Sequence, residues 1–217
     1  MKLYRYITFE TLADIVINKR LALVSPLIWE DAFEGWFWKA IVIDGKPEHS
    51  EPISKAINSL FAQCWSKNCD SAALWSIYSY NQKSIMIETT SEKLQKLPKI
   101  TIKEINYSDD AEMDVDEVVG MLMHPSLDNL LLPFTKKRSE FSHENEVRIF
   151  TTKKNPDGFL KAVHIPIYDV DTFINNVVVH PFAPEWYIDI IREFCKNYHI
   201  QFSGKSKLYD FDHGKLR

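Results

Sequence analysis

Short runs in which apolar and polar residues alternate recur along this chain, and a period of two commits them to β-strands rather than helices. "KLYRYI" (2–7), "LALVS" (21–25), "FAQCWS" (61–66), "KSIMIETT" (83–90) and "KITIKEINYS" (99–108) are of this kind. So are "VRIFTT" (147–152), "LKAVHIPI" (160–167) and "INNVVVHP" (174–181), with "IQFSG" and "SKLYDF" as short strands at the end. Helical spacing is rarer. Thr8 can cap "FETLADIVINKRL", where Leu12, Ile15 and Val16 form a stripe. Further helices are expected over 53–60, over 71–80 and over 126–139 until Pro133 disturbs it. In "APEWYIDIIREFCKNYH" (183–199), Trp186, Ile190, Ile191 and Phe194 are expected to line one face. "WEDAFEGW" (29–36) reads as a turn, 45–52 as a loop and 109–120 as an acidic loop entering a helix. Neither a repeat nor a strong linker interrupts the pattern. The expectation is one α+β domain, 1–217, with a mostly antiparallel central sheet and helices packed around it.

Composition narrows the function. The chain has 217 residues, 45% of them apolar, enough for a real core. Six glycines and no GxGxxG or GxxxxGK[ST] rule out a Gly-rich phosphate loop. A net charge of −4 argues against a broad nucleic-acid surface. Cys64, Cys69 and Cys195 form no CxxC and no zinc spacing, which fits reduced thiols in a cytoplasmic protein. No basic-plus-apolar leader and no long apolar run appear, so no membrane association is expected.

Four stretches can carry chemistry. In "FSHENEVRIF" (141–150), Glu144, Glu146 and Arg148 recur at every second position. On one strand the two carboxylates would share a face about 6–7 Å apart. Arg148 could hold both ionised, either on a solvated face or on the floor of a site. In "LYRYI", Tyr4 and Tyr6 share one face, and Leu3, Arg5 and Ile7 the other. The Arg5 fork suits an anionic ligand or a structural salt bridge. Trp75 and Tyr78 are three residues apart on the expected helix, placed to stack a flat ring or to fill core. Glu30, Asp31 and Glu34 bring carboxylates into an aromatic setting without metal-ligand spacing. The basic run Lys136, Lys137 and Arg138 reads as a solvated loop, and His143 is the one histidine beside the acidic pair.

Four blocks give the chain a family resemblance. They are "LYRYITFETLADIVINKRLALVSPLIWEDAFEG", "FAQCWSKNCDSAALWSIYSYNQKSIMIE", "KKRSEFSHENEVRIF", and "INNVVVHPFAPEW" with the closing "SGKSKLYDF". In this order they resemble a bacterial domain family known only as a domain of unknown function and often met near phage-defence and toxin–antitoxin genes. Two departures stand out. Glu30-Asp31-Ala32-Phe33-Glu34 lacks the family's Asn and Pro, and His143 and Val147 replace its Tyr and Trp.

The same order is distantly similar to the ADP-ribosyltransferase plan. That likeness implies an ADP-ribosyltransferase-like fold with NAD as substrate. Arg5 would clamp the pyrophosphate or ribose, and Trp75 and Tyr78 would border the nicotinamide. Glu146 would steady the oxocarbenium-like transition state and Glu144 would orient the acceptor. Tyr4 and Arg148 complete the implied cofactor-binding set. The leading expectation is therefore an NAD-dependent ADP-ribosyltransferase-like toxin or defence effector. It would act on a protein or nucleic-acid acceptor and be matched by an antitoxin partner. The alternative is a non-catalytic binding or antitoxin-type module, with Glu144, Glu146 and Arg148 as a structural network. The third is a nucleic-acid-processing enzyme with carboxylates on Mg²⁺.

Overall fold

The computed structural model describes residues 1–29, 34, 54–79, 81–109, 117, 120, 124 and 126–210. In chain order the elements begin β1 (Lys2–Ile7), α1 (Phe9–Ile17), β2 (Arg20–Val24), β3 (Leu60–Ser66), α2 (Ala72–Ile77), β4 (Ile85–Thr90) and α3 (Ser91–Gln95). They continue β5 (Thr101–Glu104), β6 (Asn106–Ser108), α4 (Leu127–Leu131), β7 (Lys136–Arg138) and β8 (Glu146–Thr152). The last are β9 (Ala162–Pro166), α5 (Val170–Phe173), β10 (Asn176–Val179), α6 (Glu185–Asn197) and β11 (Phe202–Lys205). The expected mixture of helices with mostly antiparallel strands is present. The chain divides into two compact units: Met1–Leu21, Ser66–Leu94 and Pro166–Arg217 form one, and Ala22–Trp65 with Gln95–Ile165 the other. No described helix is long and apolar enough to cross a membrane.

In the first unit β4 lies between two antiparallel neighbours. Leu3, Arg5 and Ile7 of β1 stand opposite Thr89, Ile87 and Ile85, while Val177 and Val179 of β10 stand opposite Ile87 and Ile85. β11 adds in parallel to β10. Alternation sends Tyr4, Tyr6, Met86 and Val178 to the other face, where they pack with Leu74 and Trp75 of α2. Thr8 caps α1 by accepting from the Thr11 N–H, and Leu12, Ile15 and Val16 are buried as their spacing predicts. The helix stops earlier than expected, because Lys19 turns left-handed (φ 49°) and β2 begins at Arg20.

The second unit pairs β3 antiparallel with β2, Val24 opposite Ala62, and β8 antiparallel with β5, Ile149 opposite Ile102. β8 also pairs with β3. Its apolar core joins Ile57, Leu60, Ala62, Leu131, Phe134 and Phe150.

Four further expectations need correction. The run 99–108 is two strands, broken at Ile105, whose N–H donates to the Glu146 carbonyl. The helix expected over 126–139 is only α4, followed by a 3₁₀ turn at Pro133 and then by β7. Residues 206–210 of "SKLYDF" hold no strand, and a turn forms at Leu208 and Tyr209. Finally, α6 buries Tyr187, Ile188, Ile191 and Cys195, whereas Trp186 and Ile190 are exposed. Apolar residues at 186, 187, 188, 190, 191 and 194 satisfy two adjacent stripes, so spacing alone did not choose between them. The readings at Glu30, Asp31, 45–52 and most of 109–120 lie outside the described residues.

Candidate functional site

The stretch "KKRSEFSHENEVRIF" folds back on itself. β7 pairs in parallel with β6, placing Lys137 opposite Tyr107. A 3₁₀ turn, Ser139–Glu144, then reverses the chain. Asn145 closes it in the left-handed region (φ 43°), which a short amide side chain tolerates well. β8 starts only at Glu146. The expectation that Glu144 and Glu146 share a strand face is therefore wrong: Glu144 belongs to the turn. Nor is this a solvated face. Glu146 is 5% exposed and Arg148 1%, while Val147 and Ile149 are fully buried on the other side.

Lys137 brings the acids together again. Its Nζ donates to Glu144 Oε2 at 2.5 Å and lies 3.1 Å from Glu34 Oε1 and 3.5 Å from Glu146 Oε2. Arg148 is the second hub. Its Nε donates to Glu146 Oε1 (2.9 Å), and its Nη2 to Glu146 Oε2 (2.9 Å) and Glu34 Oε1 (2.7 Å). Its Nη1 donates to the Phe134 carbonyl (2.8 Å), so four of its five N–H donors are used. The guanidinium also stacks over Trp29, 4.3 Å from the ring centroid. Tyr107 fixes the strand start, its hydroxyl accepting the Glu146 N–H at 2.9 Å. Three carboxylates thus enclose two cations.

Burial opposes ionisation at Glu146, Lys137 and Arg148, yet the charges prevail. For Glu146, burial pushes the carboxyl up, but the Arg148 charge and hydrogen bonds, with Lys137 and the Cys64 thiol, leave it below its ordinary value. For Lys137, burial pushes down, and Glu146, Glu34 and Glu144 together raise it above the usual amine range. Arg148 is raised the same way, against its own burial. Cys64 is pushed up, chiefly by burial and then by Glu146, so it stays a neutral thiol and a poor nucleophile.

The remaining predicted residues lie in the first unit, and the fold parts them. Tyr4 and Trp75 share the α2 side of β1, while Arg5, half-buried, points to the opposite face. Trp75 is buried and Tyr78 exposed, so the two do not face one way. Trp75 stands edge-on to Tyr6 (4.8 Å, 87°) and to His180 (5.4 Å, 81°). Its Nε1–H donates to Asp70 Oδ1 (2.7 Å), which also accepts from Ser206 Oγ (2.5 Å).

A cavity of about 470 Å³ opens beside Trp75, lined also by Asn81, Gln82, His180, Phe182 and Tyr209. The Phe182 and Tyr209 rings stack at 5.0 Å and 21°. His180 Nδ1 accepts the Phe182 N–H (3.1 Å), which assigns the ring proton to Nε2. Burial lowers the His180 pKa, so the ring is neutral at neutral pH. Asn81 and Gln82 are both left-handed (φ 58° and 56°), a conformation that costs a residue such as Gln about 1–2 kcal/mol.

Lys137 and Glu34 were not expected in one cluster with Glu144, Glu146 and Arg148. The usable signal for Lys137 was a basic run lying shortly before Glu144 and Glu146 in the sequence. His180, Phe182 and Tyr209 had no signal beyond scattered aromatics. Neither a protein-family model nor a curated protein matches this chain.

Proposed function

We propose that this chain is a ligand-binding module in which the Glu34–Lys137–Glu144–Glu146–Arg148 cluster is scaffold rather than catalytic machinery. One observation carries the reading: both Glu146 oxygens are held by the Arg148 fork in a site 5% exposed. An NAD-dependent transferase needs that carboxylate to accept from a ribose hydroxyl and face developing positive charge. Here it already faces a permanent one. A general acid would need a raised pKa, and that of Glu146 is lowered. A Mg²⁺ ion would have to displace Lys137 and Arg148 from all three carboxylates. The non-catalytic alternative fits the geometry best.

Glu146→Gln separates the readings. A scaffold role predicts a loss of about 3 kcal/mol in unfolding free energy, and no NAD consumption by the unmodified protein. A catalytic role predicts unchanged or higher stability together with lost NAD turnover. Urea denaturation and an NAD-consumption assay on the two proteins decide it, and measurable NAD turnover abolished in the variant overturns the proposal.

A further inference from the structure

The cavity beside Trp75 combines features that ordinary surface grooves lack. Its walls are aromatic: the Phe182–Tyr209 pair is stacked, and both rings are more than half exposed, at 54% and 58%. Two such rings in soluble surroundings leave a flat apolar face in water. Its polar groups are amides, hydroxyls and a neutral imidazole. Among the described residues that line it, none bears a formal charge at neutral pH.

Several of these polar groups have no use inside the protein. The side-chain amides of Asn81 and Gln82 make no hydrogen bond to a described residue. Ser79 Oγ is buried with no partner, and one χ1 rotation reorients it. His180 spends Nδ1 on a backbone N–H, leaving Nε2–H as a donor. The turn carrying Asn81 and Gln82 is held left-handed at two successive residues, one of them a glutamine. Strain of that kind persists where the surroundings impose it, and it clusters at binding sites.

We propose that this cavity binds an uncharged planar ring with donors and acceptors along its edge, the chemical class of a nucleobase. The ring would stack on the Tyr209–Phe182 face and pair with the Asn81 and Gln82 amides. The volume suits this class, since about 470 Å³ lies in the range of small-molecule pockets. Side-chain amides supply a donor and an acceptor together, which is what a base edge requires. Stacking of a base on an aromatic ring is worth enough to hold it without a charge. The charge pattern is equally informative: among the described lining residues no cation is present to pair with a phosphate. The inference deepens the binding-module reading and rests on it for the absence of chemistry at the bound ring.

The test is titration of the full chain with adenosine, guanosine, cytidine and uridine, followed by calorimetry and by tryptophan fluorescence, with glucose as the neutral sugar control. At least one nucleoside is expected to bind, and Tyr209→Ala and Gln82→Ala each to weaken it about tenfold or more. Both side chains are exposed, so both variants should keep their melting temperature. The 5′-monophosphate of the bound nucleoside should bind no more than about threefold tighter. Three results overturn the inference: no nucleoside binding, binding untouched by both variants, or binding that requires the phosphate. Glucose binding in place of the nucleosides overturns the ligand class. Conversion of the bound nucleoside to base and sugar leaves the cavity assignment standing and overturns the non-catalytic reading instead.

Discussion

The ion cluster of the second unit and the cavity of the first are polar in opposite senses. In the cluster every formal charge is buried and answered: Arg148 spends four of five donors and Lys137 meets three carboxylates. In the cavity no described lining residue is charged, and the Ser79 hydroxyl and the Asn81 and Gln82 amides make no hydrogen bond to a described residue. The catalytic-looking motif is thus the saturated one, and the neutral aromatic hollow is the one with bonding capacity to spare. A conspicuous charge pattern reports where a fold must balance its own electrostatics; open hydrogen-bonding capacity reports where something else can enter.

The contrast breaks most easily at Arg148. Arg148→Met leaves three buried carboxylates on one lysine and should lose about 4 kcal/mol or more in urea denaturation. A loss below about 1 kcal/mol would mean that the cluster is wetter and weaker than its burial implies. Acid gives the next effect. The folded pKa of Glu146 is depressed, so its contribution is full above its unfolded value of about 4.3 and is lost as the pH falls through the folded value. Thermal unfolding followed from pH 7 to pH 3 should fall more steeply in the natural chain than in Glu146→Gln. Equal slopes would remove Glu146 from the account. The smallest effect is at the cavity. Gln82→Gly relieves a left-handed glutamine and should gain up to about 1 kcal/mol, while weakening whatever the cavity holds. A destabilised Gly variant would show that the Gln82 side chain supports the fold.

Much of the fold was legible because strand alternation is a local signal. β1, β4 and β10 fall inside the runs that predict them, and β8 exceeds its run only by Glu146. The buried face of α1 was legible too, since Leu12, Ile15 and Val16 at helical spacing are the residues that it buries. That of α6 was not, because two stripes overlap. Glu146, Arg148 and their apolar counterparts Val147 and Ile149 follow from alternation, but the place of Glu144 depends on a single left-handed residue, Asn145, that ends a 3₁₀ turn. No periodicity announces such a residue. Glu34 joins Arg148 across 114 positions, a distance over which sequence pattern carries no pairing information. His180, Phe182 and Tyr209 converge only through tertiary structure, so the cavity had to be seen.

The carboxylates around Lys137 also change its reactivity as an amine. Acylating reagents attack a lysine only in its free-base form, and this ammonium is held protonated above the usual range and 9% exposed. Peptide mass mapping after treatment with an amine-reactive ester should find Lys137 unlabelled while the exposed Lys2 is modified. Labelling of Lys137 would then appear only as the chain unfolds, making this one amine a built-in reporter on the integrity of the second unit.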